Sequence, residues 1–304
     1  MLHIAKTFVG LLCAIGFAVH AALPPSDGYL AVNGGNLYYI KYGNAANQPM
    51  IVLHGGPGLD SSYLLPQMSV LGKNNETVFY DQRGSGKSLG FAINDQTINI
   101  DTFVADLEAV RKHFGYKKFS LVGHSWGGLL AMFYAIKYPQ NLSVLVLVDS
   151  APANSTGFDL FMAEYTKRLT PIQSEITQIE NSLPFKNGDP KTVTEYYRKI
   201  FALYFYDVRL LNQLTLRFTK ESALNGFAIG QIFQNTLLKD YDLTAKLHAL
   251  QLPVTIVHGD NDIVPLETAK QIKDAIQSAK LVVIKECDHF PYIEKPREFF
   301  AVFK

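Results

Sequence analysis

The stretch Phe119-Ser120-Leu121-Val122-Gly123-His124-Ser125-Trp126-Gly127-Gly128-Leu129-Leu130-Ala131 decides how this chain folds. Its apolar start, residues 119–122, reads as a strand, and the small, apolar residues 129–136 read as a helix. Only one sharp turn fits between them. In a Gly-X-Ser-X-Gly turn the strand and helix nearly touch, so the flanking residues must be small, and the central serine takes a strained backbone that lifts its hydroxyl clear of the sheet. Gly123 and Gly127 supply that space, which makes Ser125 the candidate nucleophile.

A serine hydroxyl is a weak nucleophile near neutral pH and needs a base that is itself oriented by an acid. The chain offers both, in order. Residues 253–257 form a short apolar strand ending in His258-Gly259-Asp260-Asn261-Asp262, so Asp262 is the candidate acid. Asp260 and Asp149, the latter ending the apolar strand 142–148, are the alternatives. Residues 281–284 read as a further strand, followed by Cys287-Asp288-His289-Phe290-Pro291 and a final helix from near Pro296. His289 alone among the eight histidines follows the last strand and is the candidate base; His54, His124 and His258 lie beside the motifs as loop braces. The chain order serine, aspartate, histidine is that of α/β-hydrolases.

Acyl transfer also needs backbone donors aimed at the oxyanion. Residues 50–53 lead into His54-Gly55-Gly56-Pro57-Gly58, where glycines let a peptide N–H approach a substrate; the N–H groups of Gly56 and Trp126 are the candidate hole. The segment Asp81-Gln82-Arg83-Gly84-Ser85-Gly86-Lys87-Ser88 ends like a phosphate-binding loop, but Asp81 stands where the first glycine belongs, and a carboxylate there repels phosphate. Its expected task is to pin the loop after the strand 77–80 through Asp81 or Arg83.

Strand-like runs alternate with helical periodicity, as at residues 100–114, where Phe103, Val104, Leu107, Val110 and Phe114 recur at helical spacing. That alternation predicts an α/β fold with a mostly parallel sheet flanked by helices. Ser125, Asp262, His289 and the glycine loop all fall at carboxyl ends of strands, where such sheets place their sites. Between residues 151 and 245 strand signals give way to aromatic-rich helical ones, which predicts an inserted helical cap with some of its rings walling an apolar pocket.

Lys6, the apolar residues 8–19 and Val19-His20-Ala21 read as a signal peptide with small residues at the cleavage positions. The expected organisation is therefore a signal peptide at 1–21, a first core part at 22–150, the cap at 151–245 and a second core part at 246–304. This predicts an exported protein, with an uncleaved anchor as the alternative; the apolar stretch is short for a stable span. Cys13 leaves with the signal, and Cys287 alone allows no intramolecular disulfide. A net charge of +1 with scattered positive residues gives no field for nucleic acid.

Taken together, His54-Gly55-Gly56-Pro57-Gly58, Asp81 to Ser88, Gly123-His124-Ser125-Trp126-Gly127-Gly128 and Asp288-His289-Phe290-Pro291 with Glu294 and Pro296 resemble the proline iminopeptidase family of α/β-hydrolases. The resemblance runs from about Tyr29 to the C-terminus. It implies hydrolysis of short peptides or amides at an N-terminal residue, often proline, without metal or cofactor. It also implies glutamates that anchor the free amine of the substrate. Glu221 lies nearest the stretch around Gly226 where a cap glutamate is expected, Glu195 and Glu164 are further candidates, and Ile263 follows Asp262 where some relatives carry glutamate. The expected function is an exported aminopeptidase working through an acyl-enzyme on a short-peptide or small-molecule substrate. A carboxylic ester hydrolase or lactonase on the same scaffold is the alternative, and a non-catalytic binding protein the third.

Overall fold

The structure, a computed structural model, describes residues 24–304. The expected signal segment, 1–21, lies outside them. Eight strands form one sheet: β1 (Ser26–Val32), β2 (Gly35–Tyr42), β3 (Gln48–Leu53), β4 (Asn75–Tyr80), β5 (Phe119–His124), β6 (Leu142–Val148), β7 (Val254–Gly259) and β8 (Ala279–Ile284). Their order across the sheet is β1-β2-β4-β3-β5-β6-β7-β8. The pairs β1–β2 and β2–β4 are antiparallel and all others parallel, as the alternation predicts.

The central strands are continuous apolar runs because helices cover both faces of a parallel sheet. Alternate residues serve opposite layers. Ile51, Leu53, Leu121, Leu145 and Leu147 pack with Leu107, Val110, Leu129 and Leu130, whereas Met50, Val52, Val122, Val146 and Val148 pack with Tyr292 and Phe299. Burying each such side chain contributes roughly 1.5–3 kcal/mol, so slipping one strand by a residue would forfeit several of these terms at once.

Helix α1 (Ile100–His113) opens on a capping box between Asn99 and Thr102 and buries Phe103, Val104, Leu107 and Val110. Helix α2 (Trp126–Lys137) starts directly after Ser125. The loop after β4 is pinned as expected: Asp81 accepts from the Ser61 N–H at 2.9 Å, the Ser61 hydroxyl at 2.7 Å and the Lys87 N–H at 2.8 Å. Arg83 pairs with Asp106 at 2.7 Å in the interior. One feature escaped the sequence analysis, the edge hairpin β1–β2, which turns through Asn33 and Gly34 with Gly34 at φ 87°.

Between β6 and β7 the chain adds no strand to the sheet. It forms α3 (Ser155–Leu169), α4 (Gln173–Asn181), α5 (Leu183–Lys186), α6 (Pro190–Ala202), α7 (Lys220–Asn235) and α8 (Thr244–Leu247). The remaining helices are α9 (Leu266–Ala275), α10 (Pro291–Glu294) and α11 (Pro296–Ala301). Among the described residues, no helix is long and apolar enough to cross a membrane.

Candidate active site

Ser125 occupies the turn between β5 and α2 with φ 56° and ψ −123°, a conformation that a residue with a side chain adopts only when its surroundings enforce it. The enforcement is visible. The Ser125 N–H donates to the Val148 carbonyl at 3.0 Å, and the Ser125 carbonyl accepts from Gly128 at 2.8 Å and Ala151 at 2.9 Å. A Cβ at Gly123 would lie 2.3 Å from the Gly127 carbonyl oxygen, and one at Gly127 would lie 2.6 Å from that of Leu53, so any larger residue would push strand and helix apart.

The carboxyl ends of β7 and β8 bring the candidate base and acid together. His289 Nδ1 donates to Asp262 Oδ1 at 2.9 Å, and the same oxygen accepts the Val264 N–H at 3.0 Å. Both side chains are buried. Burial alone would raise the Asp262 carboxyl, but His289 and His258 beside it and the hydrogen bond from His289 outweigh that, leaving it below the usual carboxylate range. With Nδ1 engaged, Nε2 is the His289 nitrogen left for chemistry.

The two alternative acids are elsewhere. Asp260 pairs with Lys285 at 3.3 Å, away from the imidazole. Asp149 sits behind Asp262, where it accepts the Gly259 N–H at 2.8 Å.

Ser125, His289, Gly55, Gly56, Pro57 and Trp126 line one cavity of about 190 Å³. Its opposite wall comes from α3, α6 and the residues after them: Phe158, Phe161, Tyr197, Ile200, Phe201 and Tyr204. The expected aromatic wall is therefore present. Among the described residues no aspartate, glutamate, lysine or arginine lines this cavity.

Two hydrogen-bonded chains hold the glycine loop in place. The Gly55 N–H donates to the Tyr63 hydroxyl at 2.5 Å, and that hydroxyl meets His124 Nδ1 at 2.7 Å. His124 Nε2 faces the His289 carbonyl at 2.8 Å. A carbonyl only accepts, so Nε2 carries the ring proton, Nδ1 is a lone pair and the Tyr63 hydroxyl is its donor. Burial depresses the His124 imidazole to about 3, so it is a neutral spacer. In the second chain, Gln82 donates from its side-chain amide to the His54 carbonyl at 2.8 Å and from its backbone to His54 Nε2 at 3.0 Å, while accepting the Trp126 indole N–H at 2.9 Å. Gln82 thereby ties the loop after β3 to the first residue of α2.

With this geometry in view, residues 48–296 match the sequence profile of the α/β hydrolase fold. The proline iminopeptidase of Saccharolobus solfataricus is 30% identical over 291 residues, covering 91% of this chain and 91% of that protein. The chain belongs to the proline iminopeptidase family of α/β-hydrolases. The Clostridioides difficile proline iminopeptidase is 26% identical over 287 residues, covering 91% of this chain and 96% of that one. In three dimensions the hydrolase is similar to the proline iminopeptidase-related protein from Thermus thermophilus, with a TM-score of 0.71 at 23% identity, covering 93% of this chain and 96% of that one. That likeness speaks for the fold.

Against the family's expectation, this hydrolase does not bring Glu164, Glu195 or Glu221 to the cavity. Glu164 on α3 is held by Arg168 at 2.9 Å and Lys167 at 3.0 Å. Glu195 on α6 and Glu221 in the first turn of α7 are exposed. Helix α7 approaches the core through Ser222, Ala223, Gly226, Ile229 and Phe233, and the contact is close at Gly226, because a Cβ at Gly58 would lie 2.6 Å from the Gly226 Cα. Its buried stripe carries no charge, and Glu221 stands outside it.

Proposed function

We propose that this chain is a serine hydrolase in which Ser125 attacks, His289 transfers the proton and Asp262 orients His289. The single observation that carries the reading is the His289 Nδ1–Asp262 bond at 2.9 Å, on a histidine that shares a cavity with the strained Ser125. In the scheme, Ser125 Oγ bonds to the substrate carbonyl carbon while His289 Nε2 takes its proton. The carbonyl oxygen, now negative, faces the N–H groups of Gly56 and Trp126. Collapse expels the leaving group, which receives the proton from His289, and an acyl-Ser125 ester remains. Water then attacks the ester carbonyl, giving its proton to His289; collapse breaks the bond to Ser125 Oγ, which takes that proton back, and the acid is released. The segment 151–245 acts as the cap over this cavity, and residues 1–21 direct export; N-terminal sequencing of the secreted protein checks the latter.

For the substrate, the relatives support a short peptide with N-terminal proline or another small apolar residue, whose ring or side chain suits the aromatic wall. A second reading, a neutral ester or lactone, is favoured by the cavity lining. An ammonium buried there without a carboxylate would cost several kcal/mol. Comparing a proline arylamide, its N-acetylated form and a short-chain aryl ester decides between them. An aminopeptidase rejects the blocked amide by orders of magnitude. Equal rates on both amides, with faster ester turnover, remove the aminopeptidase reading. No turnover of any of the three counts against the hydrolase scheme.

A further inference from the structure

Behind the His289–Asp262 pair lies a carboxylate that the scheme above does not use. Asp149 directly follows β6, is fully buried and holds φ at 40°. Three buried polar atoms at this spot have no hydrogen-bond partner among the described residues: Asp149 Oδ2, Asp262 Oδ2 and His258 Nδ1. One polar atom from each of these side chains lies within 4.8 Å of the other two. His258 is not the missing donor. Its Nε2 faces the Val264 carbonyl at 2.8 Å and so carries the ring proton; with that proton given to Val264, the 3.5 Å contact of Nε2 with Asp262 Oδ2 is no hydrogen bond, and Nδ1, 3.7 Å from Asp149 Oδ1, is a lone pair. Two carboxylates buried side by side repel one another, and the pair is stable only if a proton sits between them. Asp262 already receives hydrogen bonds from His289 and Val264, whereas Asp149 receives one from Gly259, so the less stabilised carboxylate keeps the proton.

We propose that Asp149 is a protonated positioning residue whose Oδ2–H donates to Asp262 Oδ2, fixing the carboxylate so that its Oδ1 meets His289 Nδ1. The proposal rests on Asp262 being the acid of the triad. The charge environment agrees with it. Burial first, and then the neighbouring Asp262 charge, push Asp149 well above the ordinary carboxyl value. The groups facing Asp149 are His258 on β7, Asp262 and Asp288 on the following loops, and Cys287 and Tyr292, whose thiol and phenol burial keeps neutral. The adjacent charges are therefore negative, and each favours a proton on Asp149.

The test compares two substitutions that both tolerate a left-handed backbone. Asp149→Asn replaces the O–H donor with an N–H donor and carries no charge. It should keep kcat within about threefold, with the acidic limb of the kcat/KM–pH profile unmoved. Asp149→Gly removes the donor and should lower kcat by about tenfold to a hundredfold at nearly constant KM, the loss of one hydrogen bond to a charged group. A protonated-carboxyl infrared band, present at neutral pH in the wild type and lost in Asp149→Asn, reports the proton whether or not the glycine variant folds. An acidic limb shifted to lower pH in Asp149→Asn would mean that a negative charge had been removed, and would overturn the proposal. So would an unimpaired kcat in a folded Asp149→Gly, or a protonated-carboxyl band that Asp149→Asn leaves unchanged. A kcat loss in Asp149→Asn as large as that in Asp262→Asn would instead move the acid itself to Asp149.

Discussion

Arg168 on α3 and Asp288, the residue before His289, form an ion pair at 2.5 Å that joins the helices between β6 and β7 to the loop bearing the candidate base. The same guanidinium donates to the Leu203 carbonyl at 2.9 Å and to the Asn261 carbonyl, next to Asp262, at 2.6 Å. One side chain therefore ties the cavity wall to both loops.

Replacing Arg168 by methionine keeps the stem and removes these bonds. Asp288 is fully buried, but Arg168 is partly exposed, so the cost should fall below that of a wholly buried pair, at about 1–3 kcal/mol. Its pH dependence has a definite sign. Burial, then the charge of Asp262, push the Asp288 carboxyl up to about 7 against the pull of Arg168. A raised folded-state value means that the stabilisation from this group is complete at acidic pH, below the ordinary carboxyl range. It is lost as pH rises toward 7. Without Arg168 the carboxyl rises further, so the deficit of Arg168→Met relative to wild type should grow between pH 5.5 and 8.5. Thermal melts at both values check this, and an equal deficit would contradict it.

Gln82→Leu removes the bridge between His54 and Trp126 and leaves the indole N–H and the His54 carbonyl unpaired in the interior. We expect a stability loss of about 1–3 kcal/mol and a kcat loss exceeding any change in KM, because Trp126 itself carries one proposed oxyanion donor and His54 begins the loop that carries the other. Denaturant midpoints with steady-state kinetics measure the two effects. Unchanged kcat in a destabilised protein would confine Gln82 to a structural task.

If Asp262 orients His289 and stabilises its imidazolium, Asp262→Asn should reduce kcat by ~10⁴. Asp260→Asn, altering only a surface pair with Lys285, should leave it within about twofold. A comparable loss at Asp260 would contradict the arrangement of the two loops.

Local pattern carried much of this site. Gly123 and Gly127 around Ser125 announce a strand-turn-helix because close approach is a local demand, and the sites of Asp262 and His289 follow from strand ends. The ties made by Gln82 and Arg168 were illegible for the opposite reason: their partners lie 44 and 120 residues away, and only the sheet order brings them together. Glu221 shows a subtler limit. Its nearness in sequence to Gly226 singles it out, but sequence distance does not say which face of a helix a residue occupies, and Glu221 stands on the exposed side. Edge strands such as β1, half exposed and without a long apolar run, carry the weakest periodic signal.

The central claim, that Ser125 forms the covalent intermediate, is tested most directly by reacting the folded protein with an aryl fluorophosphonate and mapping the adduct by peptide mass spectrometry. The account predicts one stoichiometric adduct, on the peptide containing Ser125, accompanied by complete loss of turnover. It also predicts no adduct in a Ser125→Ala variant whose circular dichroism matches wild type. Near-wild-type turnover in that folded variant, or inactivation with the adduct on another residue, would contradict it.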